Sequence, residues 1–376
     1  MTNQQNGPRR IRVGVIFGGQ SAEHDVSLRS ALTIIGALDE SRFDVVPIGI
    51  SRSGRWITGG DPMAALQGAS PMFHLGDGEE ASVESLDEAA TLALVDRAGA
   101  TATSGVPLGV TEAVDVFFPA LHGPMGEDGT LQGLLELAGV PYVGSGVLGS
   151  AVGMDKAITK TILEQAGLPQ LPWRLVTRKD WRDRPDEIAD WIERSLGFPC
   201  FVKPANMGSS VGVSKVHHAG ELTAAMNLAA DFDRRIIVEQ GVHAREIELA
   251  VLGNDEPIAS VAGEVKPAGE FYDYNAKYIE DSAELIIPAE MDGGLLGYLQ
   301  GAAIDAFKAL DLAGLARVDF FVERNTDRVF INEVNTLPGF TSISMYPMLW
   351  EASGVPLAEL VERLVQLALE RHAERS

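Results

Sequence analysis

Two runs late in the chain, Ala316–Val322 and Arg328–Asn335, alternate apolar and polar residues on either side of an Asn325-Thr326-Asp327 turn. Successive side chains of a strand point to opposite faces, so this pattern predicts a hairpin with one face in a core and one face outside it. A turn centred on Thr326 sets Asp319 opposite Glu333 and Arg317 opposite Asn335, with Val318, Phe320 and Val334 on the reverse face. Two carboxylates and an amide oxygen gathered there suit Mg²⁺, which keeps positions for water and phosphate. A solvated hairpin with cross-strand charge pairs has the same pattern, so this stretch alone leaves both readings open.

The first third alternates strand and helix signals and predicts an open parallel α/β sheet. Strands are expected at Ile11–Phe17, Phe43–Ile50, Val114–Phe118 and Tyr142–Val143, and helices at Val26–Leu38 and Leu131–Ala138. The Ala-, Gly- and Glu-rich stretch Ser51–Thr111 reads as an insertion with a helix or two and no chemistry. Glycines at Gly144 and Gly146 mark a boundary. Beyond it come a helix at Asp155–Ala166 and a strand–loop–strand at Pro199–Val213. Strands follow at Ile236–Gln240, Glu246–Val251 and Gly263–Lys266, and helices at Leu295–Leu310 and Leu357–His372. A length of 376 residues fits two or three domains.

Lys and Arg number 30 against 53 Asp and Glu, a net charge of −23 that argues against nucleic-acid and anionic-membrane partners. A few lysines and a bound cation can still reverse the field inside one cleft. The single cysteine, Cys200, excludes an intramolecular disulfide. The run Ile11–Phe17 is too short for a signal peptide's apolar core, and no later run reaches the roughly 20 residues of a membrane span, so a cytoplasmic protein is expected.

Three further segments could carry chemistry. Lys203-Pro-Ala-Asn-Met-Gly-Ser209-Ser210-Val-Gly212 reads as a strand delivering a lysine to a Gly/Ser loop whose N–H groups can cradle phosphate. It is not the GxxxxGK[ST] loop, and a flexible hairpin tip reads the same way. Ser21-Ala-Glu23-His-Asp25-Val-Ser27 follows the first strand, where ligands gather in open sheets. Asp25 and Ser27 there are expected as helix N-caps, while Glu23 has no such job. Leu121-His122-Gly-Pro-Met-Gly-Glu127-Asp128-Gly holds the same position after the third strand.

Eight segments in order resemble the D-alanine–D-alanine ligases of the ATP-grasp superfamily, over nearly the whole chain from about Arg12. They are GGQSAEHDVSL, LHGPMGEDGTLQGLLELAGVPYVGSG, MDKAITK, FVKPANMGSSVGVSK, VEQGVHAREIELAVLG, FYDYNAKY, GLARVDFF and INEVNTLPGFTSISMYP. The resemblance implies an N-terminal open parallel sheet domain at 1–145, a central ATP-grasp part at 146–240 and a C-terminal part at 241–376. It implies formation of D-alanyl-D-alanine from two D-alanines and ATP, through a D-alanyl phosphate, for peptidoglycan synthesis.

By the same resemblance, Lys156 and Lys203 contact ATP phosphates under the Ser209–Ser210 loop, and Lys277 reaches the γ-phosphate. Glu239 and Val242 lie at the adenine and Glu246 at the ribose, with Asn332 and Glu333 also on the nucleotide. Asp319, Glu333 and Asn335 hold two Mg²⁺ or Mn²⁺ ions, and a monovalent cation is suggested at no locatable site. Glu23 and His122 lie at the first substrate. Glu23, Ser209 and Tyr278 form a hydrogen-bonded set near the second, Ser344 takes its carboxylate, and Arg317 and Gly339 meet the oxyanion. A homodimer is expected. Gln240 departs from the lysine many members carry there, Asn275 replaces an acidic residue, and Ser51–Thr111 has no clear counterpart in shorter members. Another ATP-grasp carboxylate–amine ligase is the alternative, and a non-catalytic nucleotide-binding regulator the more distant one.

Overall fold

The computed structural model describes residues 9–69, 101–103, 113–266 and 284–375. Three sheets organise them. The first has the order β4-β3-β2-β1-β5, with β1 Ile11–Gly18, β2 Phe43–Ile50, β3 Trp56–Thr58, β4 Thr101–Thr103 and β5 Val116–Pro119. Its centre is parallel, as expected, but β3 and β4 add an antiparallel edge drawn from the stretch read as an insertion. Most of the remainder of that stretch lies outside the described residues. The strand expected at Tyr142–Val143 is a single parallel bridge from Phe117 to Tyr142. Helix α1, His24–Ala37, follows β1 and buries Leu28, Ala31 and Ile34 against the sheet.

The second sheet is antiparallel, with the order β6-β9-β7-β8: β6 Trp173–Thr177, β7 Cys200–Pro204, β8 Ser214–Val216 and β9 Arg235–Gln240. One face packs on helices at Pro185–Ser195 and Ala219–Phe232, in a core cluster drawn from residues between Val176 and Val238. On β7, Cys200 and Val202 face that core, so alternation turns Phe201 and Lys203 outward.

The third sheet is also antiparallel, in the order β12-β11-β10-β13-β14: β10 Ala244–Gly253, β11 Ile258–Lys266, β12 Glu284–Ile286, β13 Gly314–Glu323 and β14 Val329–Asn335. Asp292 caps helix α2, Gly293–Ala309, by accepting from the Gly294 and Leu295 N–H groups. Leu299, Ala303 and Phe307 of this helix bury Ile247, Leu249, Val318, Phe320 and Val334 on one face of the sheet. The opposite alternates of the same strands, among them Glu246, Glu248, Arg317, Asp319, Glu333 and Asn335, line a cleft. The C-terminal helix, Leu357–Glu374, returns to the first sheet: Leu360, Val361 and Leu364 share a cluster with Val13, Val15 and Phe118. No helix among the described residues is long and apolar enough to cross a membrane.

Because Phe320 is 1% exposed beneath the charged face, its truncation removes the support of that face. Phe320→Ala is expected to cost about 3–5 kcal/mol in urea unfolding. A loss under about 1 kcal/mol would contradict the packing described.

Candidate active site

A cleft of about 860 Å³ lies where the three sheets meet. Its floor is the β13–β14 hairpin. Arg317 pairs with Asn335, Val318 with Val334 and Asp319 with Glu333, the register that a turn at Thr326 predicts. One step further the register shifts, and Phe320 faces Ile331. Asn332 is the extra residue of a bulge. Strict alternation would have sent Asn332 into the core and Ile331 into the cleft. The bulge reverses both: Ile331 is 1% exposed, while Asn332 and Glu333 both line the cleft.

Arg317 organises this floor. Its Nε and Nη2 donate to Oδ1 and Oδ2 of Asp319, each at 2.7 Å. Nε also lies 2.9 Å from Oε2 of Glu248, which stands directly across from Asp319 on β10. Asn335 Nδ2 donates to Asp319 Oδ2 at 2.9 Å. Burial opposes the guanidinium charge, but Asp319 and Glu248 outweigh it and hold the Arg317 pKa well above its ordinary value. Glu248 was missed by sequence reasoning, although its signal, Glu246 and Glu248 alternating with apolar residues, is visible in the β10 stretch.

The cationic wall comes from the second sheet and the helix at Lys156–Gln165. Asp155 caps that helix by accepting from Ala157 and Ile158 at 3.0 and 3.1 Å. Lys156 Nζ then donates to the Met207 carbonyl at 2.6 Å, holding the glycine loop. Lys203 Nζ lies 2.8 Å from Glu239 Oε2 and 3.5 Å from Asn332 Oδ1. Burial would lower the Lys203 pKa, yet Glu239 raises it overall. Burial would likewise raise Glu239, but Lys160 and Lys203 hold it below the usual carboxylate range. Lys160 pairs with the other oxygen of Glu239 and is itself buried. Sequence reasoning missed Lys160, whose signal is its i,i+4 spacing from Lys156 on one helix. Gln240 donates its amide to the Leu196 carbonyl at 3.0 Å.

In the loop over this wall, Ser209 and Ser210 adopt φ of 49° and 58°, a left-handed conformation unusual outside glycine. Ser209 Oγ donates to Glu23 Oε1 across the cleft. Glu23 occupies the N-cap position of α1, but its side chain makes no capping bond. The caps expected from Asp25 and Ser27 do not form either. Asp25 sits in the first turn and pairs with Arg52 at 2.9 Å. The Ser27 hydroxyl ties β1 to β5, accepting from Gly18 N at 2.8 Å and donating to Ala120 O at 2.5 Å.

His122 is buried, with Nδ1 3.2 Å from the Leu337 carbonyl and Nε2 3.1 Å from Ser30 Oγ. A carbonyl only accepts, so Nδ1 carries the proton and Nε2 accepts from Ser30. Burial lowers the His122 pKa and keeps the ring neutral. Ser30 Oγ in turn accepts from Phe340 N at 3.1 Å. On the same loop, Ser344 Oγ accepts from Thr341 N at 3.0 Å. A side chain at Gly339 would meet Ser344 Oγ at 2.8 Å, so only glycine leaves that hydroxyl in place.

Of the residues named from sequence, Glu23, His122, Lys156, Lys203, Ser209, Ser210, Glu239, Val242, Glu246, Arg317, Asp319, Asn332, Glu333, Asn335, Gly339 and Ser344 all line this one cleft. Lys277 and Tyr278 lie outside the described residues.

Residues 12–145 match the family described as D-ala D-ala ligase N-terminus, and residues 162–366 that described as D-ala D-ala ligase C-terminus. The chain is 50% identical over 366 residues to a D-alanine–D-alanine ligase of Geobacillus kaustophilus, covering 97% of this chain and 96% of the relative. It is 51% identical over 363 residues to one of Heliobacterium modesticaldum, covering 96% of each. Among solved structures, the D-alanine-D-alanine ligase from Coxiella burnetii superposes with a TM-score of 0.80 at 35% identity, covering 97% of this chain and 96% of that one. The VanG D-Ala:D-Ser ligase from Enterococcus faecalis gives 0.77 at 33%, covering 96% and 100%.

Glu127 accepts from Gly123 N at 2.5 Å, and burial, then the nearby Glu23 charge, push its carboxyl up from 4.5 to about 8. A raised folded-state value stabilises fully below the unfolded value and loses that contribution as pH climbs through the folded one. Glu127→Gln, always neutral, should therefore gain Tm relative to the parent as pH rises from 4.5 to about 8. A Tm difference that stays flat across that window would overturn the assignment.

Proposed function

The chain belongs to the D-alanine–D-alanine ligase family, and we propose that its cleft joins two D-alanines into D-alanyl-D-alanine, a peptidoglycan precursor, using ATP. The observation that carries this reading is the meeting in one cleft of Lys156 and Lys203 with the oxygen-rich face of Asp319, Glu333 and Asn335. A carboxylate is a poor electrophile. One D-alanine carboxylate oxygen therefore attacks the γ-phosphorus of ATP, the bond to the bridging oxygen breaks, and ADP and D-alanyl phosphate result. The amine of the second D-alanine, having lost its ammonium proton, attacks the acyl carbon. The tetrahedral intermediate then expels inorganic phosphate.

In this reading Lys156 and Lys203 hold phosphate oxygens beneath Ser209 and Ser210. Val242 and Glu239 border the adenine, Glu246 the ribose, and Asn332 the phosphate side. Among the described residues no three His, Cys, Asp or Glu side chains gather as a metal cage. Asp319, Glu333 and Asn335 instead offer two carboxylates and an amide, a partial oxygen set that fits Mg²⁺ or Mn²⁺ shared with phosphate and water. Two such ions, when bound, would neutralise charge on the phosphates.

Arg317 and the Gly339 N–H meet the developing oxyanion, where fixed donors stabilise it most. The Arg317 edge formed by Nε and Nη2 is occupied by Asp319, which presents the guanidinium in a fixed plane. The Glu23–Ser209 bond supports a role for that pair in orienting the second amine and moving its proton. His122 and Glu23 flank the first D-alanine, and Ser344 takes the second carboxylate. The roles of Lys277 at the γ-phosphate and Tyr278 at the amine rest on resemblance alone. So do a homodimeric state, a cytoplasmic location and a monovalent cation. A division at 1–145, 146–240 and 241–376 is supported by one sheet falling in each part.

The test is phosphate release from MgATP with dipeptide measured in parallel, offering D-alanine, L-alanine, D-serine or D-lactate. D-Alanyl-D-alanine with stoichiometric phosphate is expected with D-alanine. Release only with another acid would replace the substrate and keep the chemistry. Lys203→Ala should lower turnover by at least about a hundredfold while circular dichroism stays native, the loss expected when a preorganised charge is removed. Retention of most activity would remove Lys203 from the phosphate site.

A further inference from the structure

Two lysines share one carboxylate in the wall of the cleft. Lys160 pairs with Oε1 of Glu239 and Lys203 with Oε2, and the three side chains are 4%, 14% and 1% exposed. Lys160 also donates to Gln170 Oε1 at 3.2 Å. Buried charges persist when paired, and within this trio the pairing is unequal: two cations face one anion, leaving one net positive charge on the trio, with Glu333 and Glu246 acting on Lys203 from outside it. Lys160 is more deeply buried than Lys203, so the surplus charge is delivered to the cleft at Lys203.

We propose that Lys160 is a positioning residue for nucleotide binding: by occupying Oε1 of Glu239 it limits Lys203 to the other oxygen and leaves a Lys203 N–H and the net charge for a polyphosphate. This rests on the reading of Lys203 as a phosphate ligand. Three N–H donors sit on Lys203 Nζ. One goes to Glu239 at 2.8 Å and one, long, to Asn332 at 3.5 Å, which leaves the third. Without Lys160, both Glu239 oxygens fall to Lys203. The pair is then neutral, and the ammonium is drawn onto the carboxylate and away from the cleft.

The experiment compares Lys160→Met and Lys160→Arg with the parent in steady-state kinetics, with ADP affinity measured by calorimetry. Lys160→Met should raise KM for ATP and weaken ADP by at least about tenfold, the scale on which a buried charge partner acts. KM for D-alanine should stay within about twofold, because the effect is confined to the anion wall. Lys160→Arg, which keeps the charge, should recover most of the ATP affinity. A role in stability alone would reduce the active fraction without moving KM for ATP, and that result in a folded Lys160→Met overturns the proposal. Should Lys160→Met fail to fold, Gln170→Leu, which removes the second partner of Lys160, is expected to raise KM for ATP about threefold. No change there overturns the proposal equally. If Lys203→Ala keeps its ATP turnover, the phosphate reading falls and this inference with it. If Lys203→Ala is inactive while Lys160→Met binds ATP normally, only this inference falls.

Discussion

Burial of one face of the third sheet under a helix governs the architecture of the cleft. The helix at Gly293–Ala309 takes Ile247, Leu249, Val318, Phe320 and Val334 out of water, and with a side-chain period of two this commits every alternate residue to the other face. Glu248, Arg317, Asp319, Glu333 and Asn335 thus arrive together because their neighbours are hydrophobic, before any ligand enters. A slip of one residue in either strand would exchange the two sets, so the apolar core enforces the register of the charged floor.

That logic explains what could be read from residues alone. The hairpin register follows from a turn position and a parity, both visible in the chain. The bulge at Asn332 is a local insertion without a glycine to announce it, and only the misplaced pair Ile331-Asn332 hints at it. Strand β6 was not anticipated, since Trp173-Arg-Leu-Val-Thr177 has no clean apolar alternation and buries only Val176 fully. The antiparallel edge of the first sheet was hidden in a stretch whose weak periodicity reads as insertion. The i,i+4 spacing of Lys156 and Lys160 is an ambiguous signal: a lysine one turn after another looks like a solvated helix face, and only the fold brings Glu239 over it. The cap positions failed because Ser27 found better partners in two strand ends than in its own helix.

The acidic surface and the cationic wall answer different demands. A net charge of −23 sets how the molecule meets other macromolecules. Inside the cleft, screening by solvent is weak, so the few charges that line it set the local field more than the distant surface carboxylates do. Burial works against charge on both His122 and Arg317: it lowers the His122 pKa, while at Arg317 the carboxylates of Asp319 and Glu248 outweigh it.

Phe340 follows Gly339 and lies edge-on to Phe118 of β5 at 5.9 Å, with Tyr346 on another side at 5.6 Å. It joins an apolar cluster that runs from the first sheet to the C-terminal helix. The second sheet, by contrast, draws its main cluster from residues between Val176 and Val238. The first and third sheets therefore share one apolar cluster, and the second keeps its own. Parting the first sheet from the third would draw Phe340 from its socket and carry Gly339 and Ser344 away with it.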